Sequence, residues 1–167
     1  MQTLLVMRHA KSSWKHPEVA DHDRPLNKRG QQDAPRMGKL LRQQKLTPQV
    51  IVSSTATRAR RTADAVADWC ALDGALHLER RFYLADPGTI LEVLRKLGDP
   101  ADRLLVIGHN PGLEELIARL TGRTEIFPTA AVAQIQLSID SWEALRSSTR
   151  GRLVNLWRPK ELVATGR

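Results

Sequence analysis

Cysteine is almost missing from this 167-residue sequence: Cys70 stands alone. An intramolecular disulfide framework is therefore excluded, and a reducing compartment is expected. Aromatic residues are also scarce at 4%. The four tryptophans, Trp14, Trp69, Trp142 and Trp157, are too dispersed to form a stacking platform for nucleic acid. No apolar run approaches the ~18 residues of a membrane span, and the run Leu4–Met7 is cut off by Arg8. The start has no basic leader-like region, so a cytoplasmic chain without a membrane partner is expected. Repeats, low-complexity tracts and long Pro/Gly/Ser linkers are lacking too, which favours a single domain over residues 1–167.

What the chain has in excess is positive charge. Lys and Arg number 26 against 18 Asp and Glu, a formal net charge of +8, and 19 of the 26 are arginine. Such a balance attracts anions, and the planar guanidinium grips phosphate oxygens two at a time. The basic residues are scattered along the chain and form no tail. Charge by itself does not separate a nucleic-acid binder from an enzyme acting on phosphate.

Short apolar runs alternate with helical periodicity. Strands are predicted at Thr3–Met7, Gln49–Val52, near Leu76–Leu78 and at Arg103–Ile107. Helices are predicted from Asn27 to about Gln44, Ala56 to Leu72, Pro87 to Leu97 and Pro111 to Thr121, with Gly122 as a C-cap. Further on, Ala133, Ile135, Leu137 and Ile139 alternate with polar residues, and Gly151–Trp157 reads as a second late strand. This order implies an α/β fold, a three-layer α/β/α sandwich around a mostly parallel sheet edged by the late strands.

Three strand-to-helix junctions carry unusual polar residues: Arg8-His9-Ala10, Ser53-Ser54 with Arg58 just beyond, and Gly108-His109-Asn110-Pro111. In open parallel sheets ligands bind beyond the carboxyl ends of the strands, where helix N-termini also point. Two imidazoles and two guanidiniums are thus expected to converge on one small anion, a phosphate pocket built without metal or other cofactor. Taken singly, each residue has an ordinary reading as a cap, a packing residue or a surface charge. Arg24 is a rim candidate beside this pocket, with a salt bridge to Asp21 or Asp23 as its plainer reading. Asn110 is expected to cap the helix starting at Pro111 while facing the pocket. His16 and His22, with Asp21 and Asp23, match no usual metal spacing and read as a polar loop.

These residues carry a family resemblance. Met7-Arg8-His9-Ala10 resembles the Arg-His-Gly signature of the histidine phosphatase superfamily, which has the phosphoglycerate-mutase-like fold. Ser53-Ser54 through Arg58-Ala59 to Thr62-Ala63 resembles its second motif, and Gly108-His109-Asn110-Pro111 its second-histidine motif. Asp23-Arg24-Pro25-Leu26 and the Gly-His-Asn-Pro wording are similar to the SixA-type phosphohistidine phosphatase branch. Ala10 stands where that pattern has glycine, and Lys11-Ser12-Ser13 departs from the mutase branch. The resemblance implies that His9 is the nucleophile and is transiently phosphorylated. Arg8 and Arg58 would hold the phosphoryl oxygens, and His109 would support the transferring group. Mutases and ester phosphatases of this kind also use a carboxylate general acid; Glu79, Asp86 and Glu92 are the candidates here, none in a matching motif. The expected substrate is phosphohistidine on a protein, or a small activated phosphate. An acid phosphomonoesterase using Glu79 or Asp86, and a non-catalytic phosphate- or nucleic-acid-binding module, are the rival readings.

Overall fold

The computed structural model describes residues 1–72 and 74–163. Its frame is a six-stranded sheet of β1 (Gln2–Arg8), β2 (Val50–Ser54), β3 (Ala75–Glu79), β4 (Arg103–Gly108), β5 (Val132–Leu137) and β6 (Gly151–Trp157). The spatial order is β3-β2-β4-β1-β5-β6. The first four strands run parallel to one another, while β5 pairs antiparallel with both β1 and β6. The helices are α1 (Lys28–Gln43), α2 (Thr57–Trp69), α3 (Pro87–Leu97), α4 (Gly112–Thr121) and α5 (Pro159–Val163). The sequence reading thus matches the fold class and the four long helices, and α5 is the helix it did not foresee.

Alternation along the strands builds two cores. Leu4 and Val6 face one side of β1, while Leu5 and Met7 face the other, and all four are fully buried. The Leu4 side packs with Leu104, Val106, Leu94 of α3 and Leu116 of α4. The Leu5 side packs with Ile51, Leu105, Met37 of α1 and Val66 of α2. A strand buried on both faces needs a continuous apolar run, which is why β1 and β4 read so strongly in the sequence. Trp142 closes the first core from below, with its indole N–H donating to Ala101 O at 2.7 Å.

Register decides what stands at the top of the sheet. Arg8 pairs with Gly108, and Ser53 pairs with Ile107. Strands β1, β2 and β4 therefore end at the same level, in Arg8, Ser54 and Gly108, and His9 and His109 emerge just beyond. The His9 amide continues the ladder by donating to Gly108 O at 3.0 Å.

Candidate active site

A cavity of about 250 Å³ opens at this edge and is lined by Arg8, His9, Arg24, Arg58, His109 and Asn110, together with Lys11, Ser12, Trp14, Leu84 and Thr129. All six residues singled out in the sequence meet here. The rings of His9 and His109 lie 5.1 Å apart, centroid to centroid, and tilted by 50°. His9, Arg24, Arg58 and His109 are all buried residues, at 4–7% exposure.

His9 is held in one tautomer. Its Nδ1 lies 2.7 Å from Ala10 O, and a carbonyl oxygen only accepts, so Nδ1 carries the proton. In the neutral ring the lone pair is then on Nε2. The Ala10 backbone is itself fixed by its N–H donating to Thr62 Oγ1 at 3.0 Å, while that hydroxyl donates to Arg58 O at 2.7 Å. One hydrogen-bonded chain thus ties the end of β1 to the first turns of α2 and sets His9 against Arg58. The Ala10 methyl points into the core beside Leu5 and Met7 and does not line the cavity. His109 Nε2 bonds Ser54 Oγ at 2.9 Å. Its Nδ1, the Arg8 Nε and the Asn110 Oδ1 are buried without a hydrogen-bond partner among the described residues. Each such group costs about 1–3 kcal/mol, so buried polar atoms without partners tend to mark sites that do something else.

The guanidiniums are aimed by Asp21, which the sequence reading placed only in a polar loop and as a partner for Arg24. Arg58 donates to Asp21 O at 2.6 Å and to Oδ2 at 3.1 Å. Arg24 donates to Asp21 Oδ1 at 2.9 Å and to Ser13 O at 3.1 Å, also reaches Ser12 Oγ, and stacks 3.3 Å over the Trp14 ring. The Tyr83 hydroxyl donates to Asp21 Oδ2, and the Tyr83 ring meets both His22 and His109 edge-on. Donation from Tyr83, Arg24 and Arg58 holds the Asp21 carboxyl well below the usual range, so it is an anion and has no proton to give near neutrality. Tyr83 is pushed up in return.

Asn110 does not cap α4. The helix begins at Gly112 after Pro111, which offers no side-chain cap. The Asn110 amide instead donates to Glu114 Oε1 at 2.9 Å and Phe127 O at 2.8 Å, which fastens the loop ahead of β5 over the cavity. Arg8 reaches the same Phe127 carbonyl at 3.3 Å. Glu79, Asp86 and Glu92 lie elsewhere: Glu79 accepts from Arg81 N, Asp86 caps α3 through Thr89 N, and Glu92 pairs with Arg81. No carboxylate is among the residues lining the cavity. Among the described residues, no group of three or more His, Cys, Asp or Glu side chains is arranged to hold a metal ion. His22 instead bonds Thr55 Oγ1 at 2.9 Å.

Burial pushes the His9 imidazolium down to about 4, and the positive charges of Arg58, Arg8 and Arg24 add to it against the Ala10 hydrogen bond. Burial likewise pushes His109 down to about 3, with His9 and Arg58 adding and Asp21 opposing. Both rings are then neutral in the free protein at pH 7. In the unfolded chain they take up protons near 6.5. The unfolded state therefore binds more protons below that value, so stability is full above about pH 6.5 and is lost as pH falls toward 4. His9 alone accounts for a loss on the order of 3 kcal/mol. NMR titration of the two rings and denaturant unfolding at pH 7 and 4.5 check this. A His9 ring titrating at 6.5 or above, or equal stability at both pH values, contradicts it.

The fold and this edge-of-sheet cluster define an α/β protein whose basic pocket suits a phosphoryl group. Residues 4–82 match the model of the histidine phosphatase superfamily, branch 1. An uncharacterized protein of Mycobacterium tuberculosis is 36% identical over 144 residues, 79% of this chain and 87% of its own. An uncharacterized chloroplastic protein of Arabidopsis thaliana is 34% identical over 151 residues, covering 84% of this chain and 68% of its own. The solved protein histidine phosphatase SixA complexed with tungstate superposes with a TM-score of 0.83 at 25% identity, over 96% of this chain and 99% of that one. The chain belongs to the histidine phosphatase superfamily, in its SixA-type branch, and is a phosphatase. Among the described residues no helix is long and apolar enough to cross a membrane.

Proposed function

We propose that the protein hydrolyses phosphohistidine on a protein substrate, or a comparably activated phosphate, through a covalent phosphoryl intermediate on His9. The observation that carries this reading is the 2.7 Å contact of His9 Nδ1 with Ala10 O inside a cavity walled by arginine and histidine and lacking a carboxylate. The Nε2 lone pair of His9 attacks phosphorus while the P–N bond to the substrate ring, protonated on its other nitrogen, breaks; the bonding pair stays on the departing nitrogen, and neutral imidazole leaves. His9 then carries the phosphoryl on Nε2 and the proton on Nδ1, a cationic ring that is itself a ready leaving group. Water attacks next. Its oxygen bonds phosphorus, the His9 N–P bond pair returns to Nε2, and inorganic phosphate departs with the water's spare proton released to solvent.

Phosphoryl transfer asks the protein for position and charge more than for bonding. A guanidinium has five N–H groups. The Arg58 bonds to Asp21 use two of them, and Arg58 lines the cavity with donors left over for phosphoryl oxygens. Arg8, on the cavity wall, adds its own guanidinium charge. At about 4 Å a unit charge pair is worth ~4 kcal/mol at an effective dielectric near 20, so two arginines against a dianion supply several kcal/mol before desolvation. The same dianion draws His109 toward its charged, donating form.

Leaving-group chemistry separates this reading from an ester phosphatase. An alkoxide needs a proton as it leaves, and a general acid is worth typically 10²–10⁴-fold. A phosphohistidine ring protonated on its other nitrogen leaves as neutral imidazole, whose conjugate acid has a pKa near 6.5, and needs no proton from the protein. The kcat/KM for a phosphohistidine peptide is therefore expected to exceed that for an unactivated alkyl phosphate by about 10² or more. Equal values defeat the substrate assignment. The intermediate is tested by brief mixing with labelled phosphodonor and denaturation at high pH. Alkali-stable, acid-labile label on the peptide containing His9 is expected, and label elsewhere or none overturns the mechanism.

A further inference from the structure

Next to the active-site cavity lies a second cleft of about 330 Å³, whose walls include Arg8, Lys11, Arg29, Thr129, Arg158 and Lys160. Arg8, Lys11 and Thr129 line both spaces, so the two are adjacent. The walls are firmly set. A Cβ on Gly30 would come within 2.1 Å of Lys11 O, which shows how closely the first turn of α1 lies on the loop after β1. Arg36 of α1 donates to Pro159 O at 2.9 Å, and Arg158 donates to Ile126 O at 3.0 Å, which bind α1 and the loop before β5 to the residues around α5.

Five cations and one carboxylate, Glu161, line the cleft, and the cations are unequal. Arg29 is paired with Asp33 at 3.4 Å, and Arg158 with Glu125 at 3.4 Å and Glu161 at 3.3 Å. Lys11 and Lys160 are exposed and have no carboxylate partner among the described residues. A second phosphate would call for converging donors and a free guanidinium fork. The cleft offers instead separated ammonium groups along an open wall, and its two outer arginines already hold carboxylates, Arg29 one and Arg158 two. That arrangement suits carboxylates spaced along a chain.

We propose that this cleft is a second anion-binding subsite, which receives aspartate or glutamate side chains flanking the phosphorylated histidine of a protein substrate. The inference rests on the phosphohistidine reading of the His9 cavity and adds what that cavity does not specify: the charge of the surrounding chain. Complementary charge of this kind acts on encounter and register, and it weakens as salt screens it.

Two phosphohistidine peptides, identical except that Asp and Glu within three residues of the histidine are replaced by Asn and Gln, test it. At low ionic strength the acidic peptide is expected to give roughly tenfold higher kcat/KM, with the ratio shrinking toward one at ~0.5 M salt. Lys160→Glu is expected to collapse the ratio, and Lys160→Gln to lower it partway. Equal hydrolysis of both peptides by the unsubstituted protein at low salt overturns the subsite and leaves the phosphohistidine reading standing, whatever the variants do. Hydrolysis of neither peptide overturns the phosphohistidine reading. Fluorescence anisotropy of the same peptides, labelled and unphosphorylated, then judges the cleft by itself: tighter binding of the acidic one, lost in Lys160→Glu, supports it, and equal binding refutes it. Stronger competition by a small bisphosphate than by the acidic peptide overturns the assignment to a protein chain.

Discussion

Replacing His9 by alanine is expected to lower phosphatase turnover by about 10⁴-fold or more, a loss typical of removing the nucleophile from a covalent mechanism. The cavity offers no ready substitute. His109 has its Nε2 tied to Ser54 Oγ at 2.9 Å and its Nδ1 buried, and Ser12 is taken up by Arg24. Inorganic phosphate binding is a different matter, because Arg8, Arg58 and His109 all remain. Removing a neutral imidazole takes away no charge that attracts the anion, so calorimetric affinity for phosphate is expected to change by only about threefold. The division matters more than the size of the loss. If His9→Ala loses phosphate binding along with turnover, His9 is part of the anion cradle. If turnover persists within tenfold, the intermediate lies elsewhere. His9→Gln keeps some bulk and polarity but no nucleophilic ring nitrogen, and it is expected to behave like the alanine variant.

Much of this site could be read before the fold was seen, because the signals are local. Four short apolar runs separated by helical periodicity imply a parallel sheet, and a parallel sheet puts Arg8-His9, Ser53-Ser54 and Gly108-His109 at one edge. The partners of those groups were not legible, since they depend on register and loop packing over long separations. Asp21 meets Arg58 across 37 residues and Tyr83 across 62. Its part in the Arg24 pair was visible three residues away, while its hold on Arg58 was not. Asn110 shows the same limit from the other side. Its place before Pro111 has the wording of a helix cap, yet its amide goes to Phe127 O, 17 residues on, because the loop ahead of β5 packs over the end of β4. The second cleft was hidden for a similar reason: its walls come from α1, the loop before β5 and the short α5, and no pattern links them along the chain.

Arg58→Ala is expected to cut kcat by about 10²–10³, the usual cost of removing one preorganised donor from a site where charge develops. Arg58→Lys keeps the charge but not the fork, so most of that loss should persist. Asp21→Asn then tells orientation from charge. In the free protein the Asp21 carboxylate and carbonyl occupy two Arg58 donors, and its negative charge opposes an incoming phosphate. Neutralising it removes repulsion, so KM for a phosphorylated substrate is expected to fall severalfold. The guanidinium also loses its anchor, so kcat is expected to fall with it, by about tenfold. The His109 ring gives an independent reading. Asp21 supports its protonated form, so Asp21→Asn should move the His109 titration further down. A parallel loss of kcat and rise of KM, with His109 unmoved, would mean that Asp21 binds substrate itself. An unchanged enzyme would mean that Arg58 keeps its aim without the carboxylate, held by the Asp21 carbonyl and its seat at the start of α2.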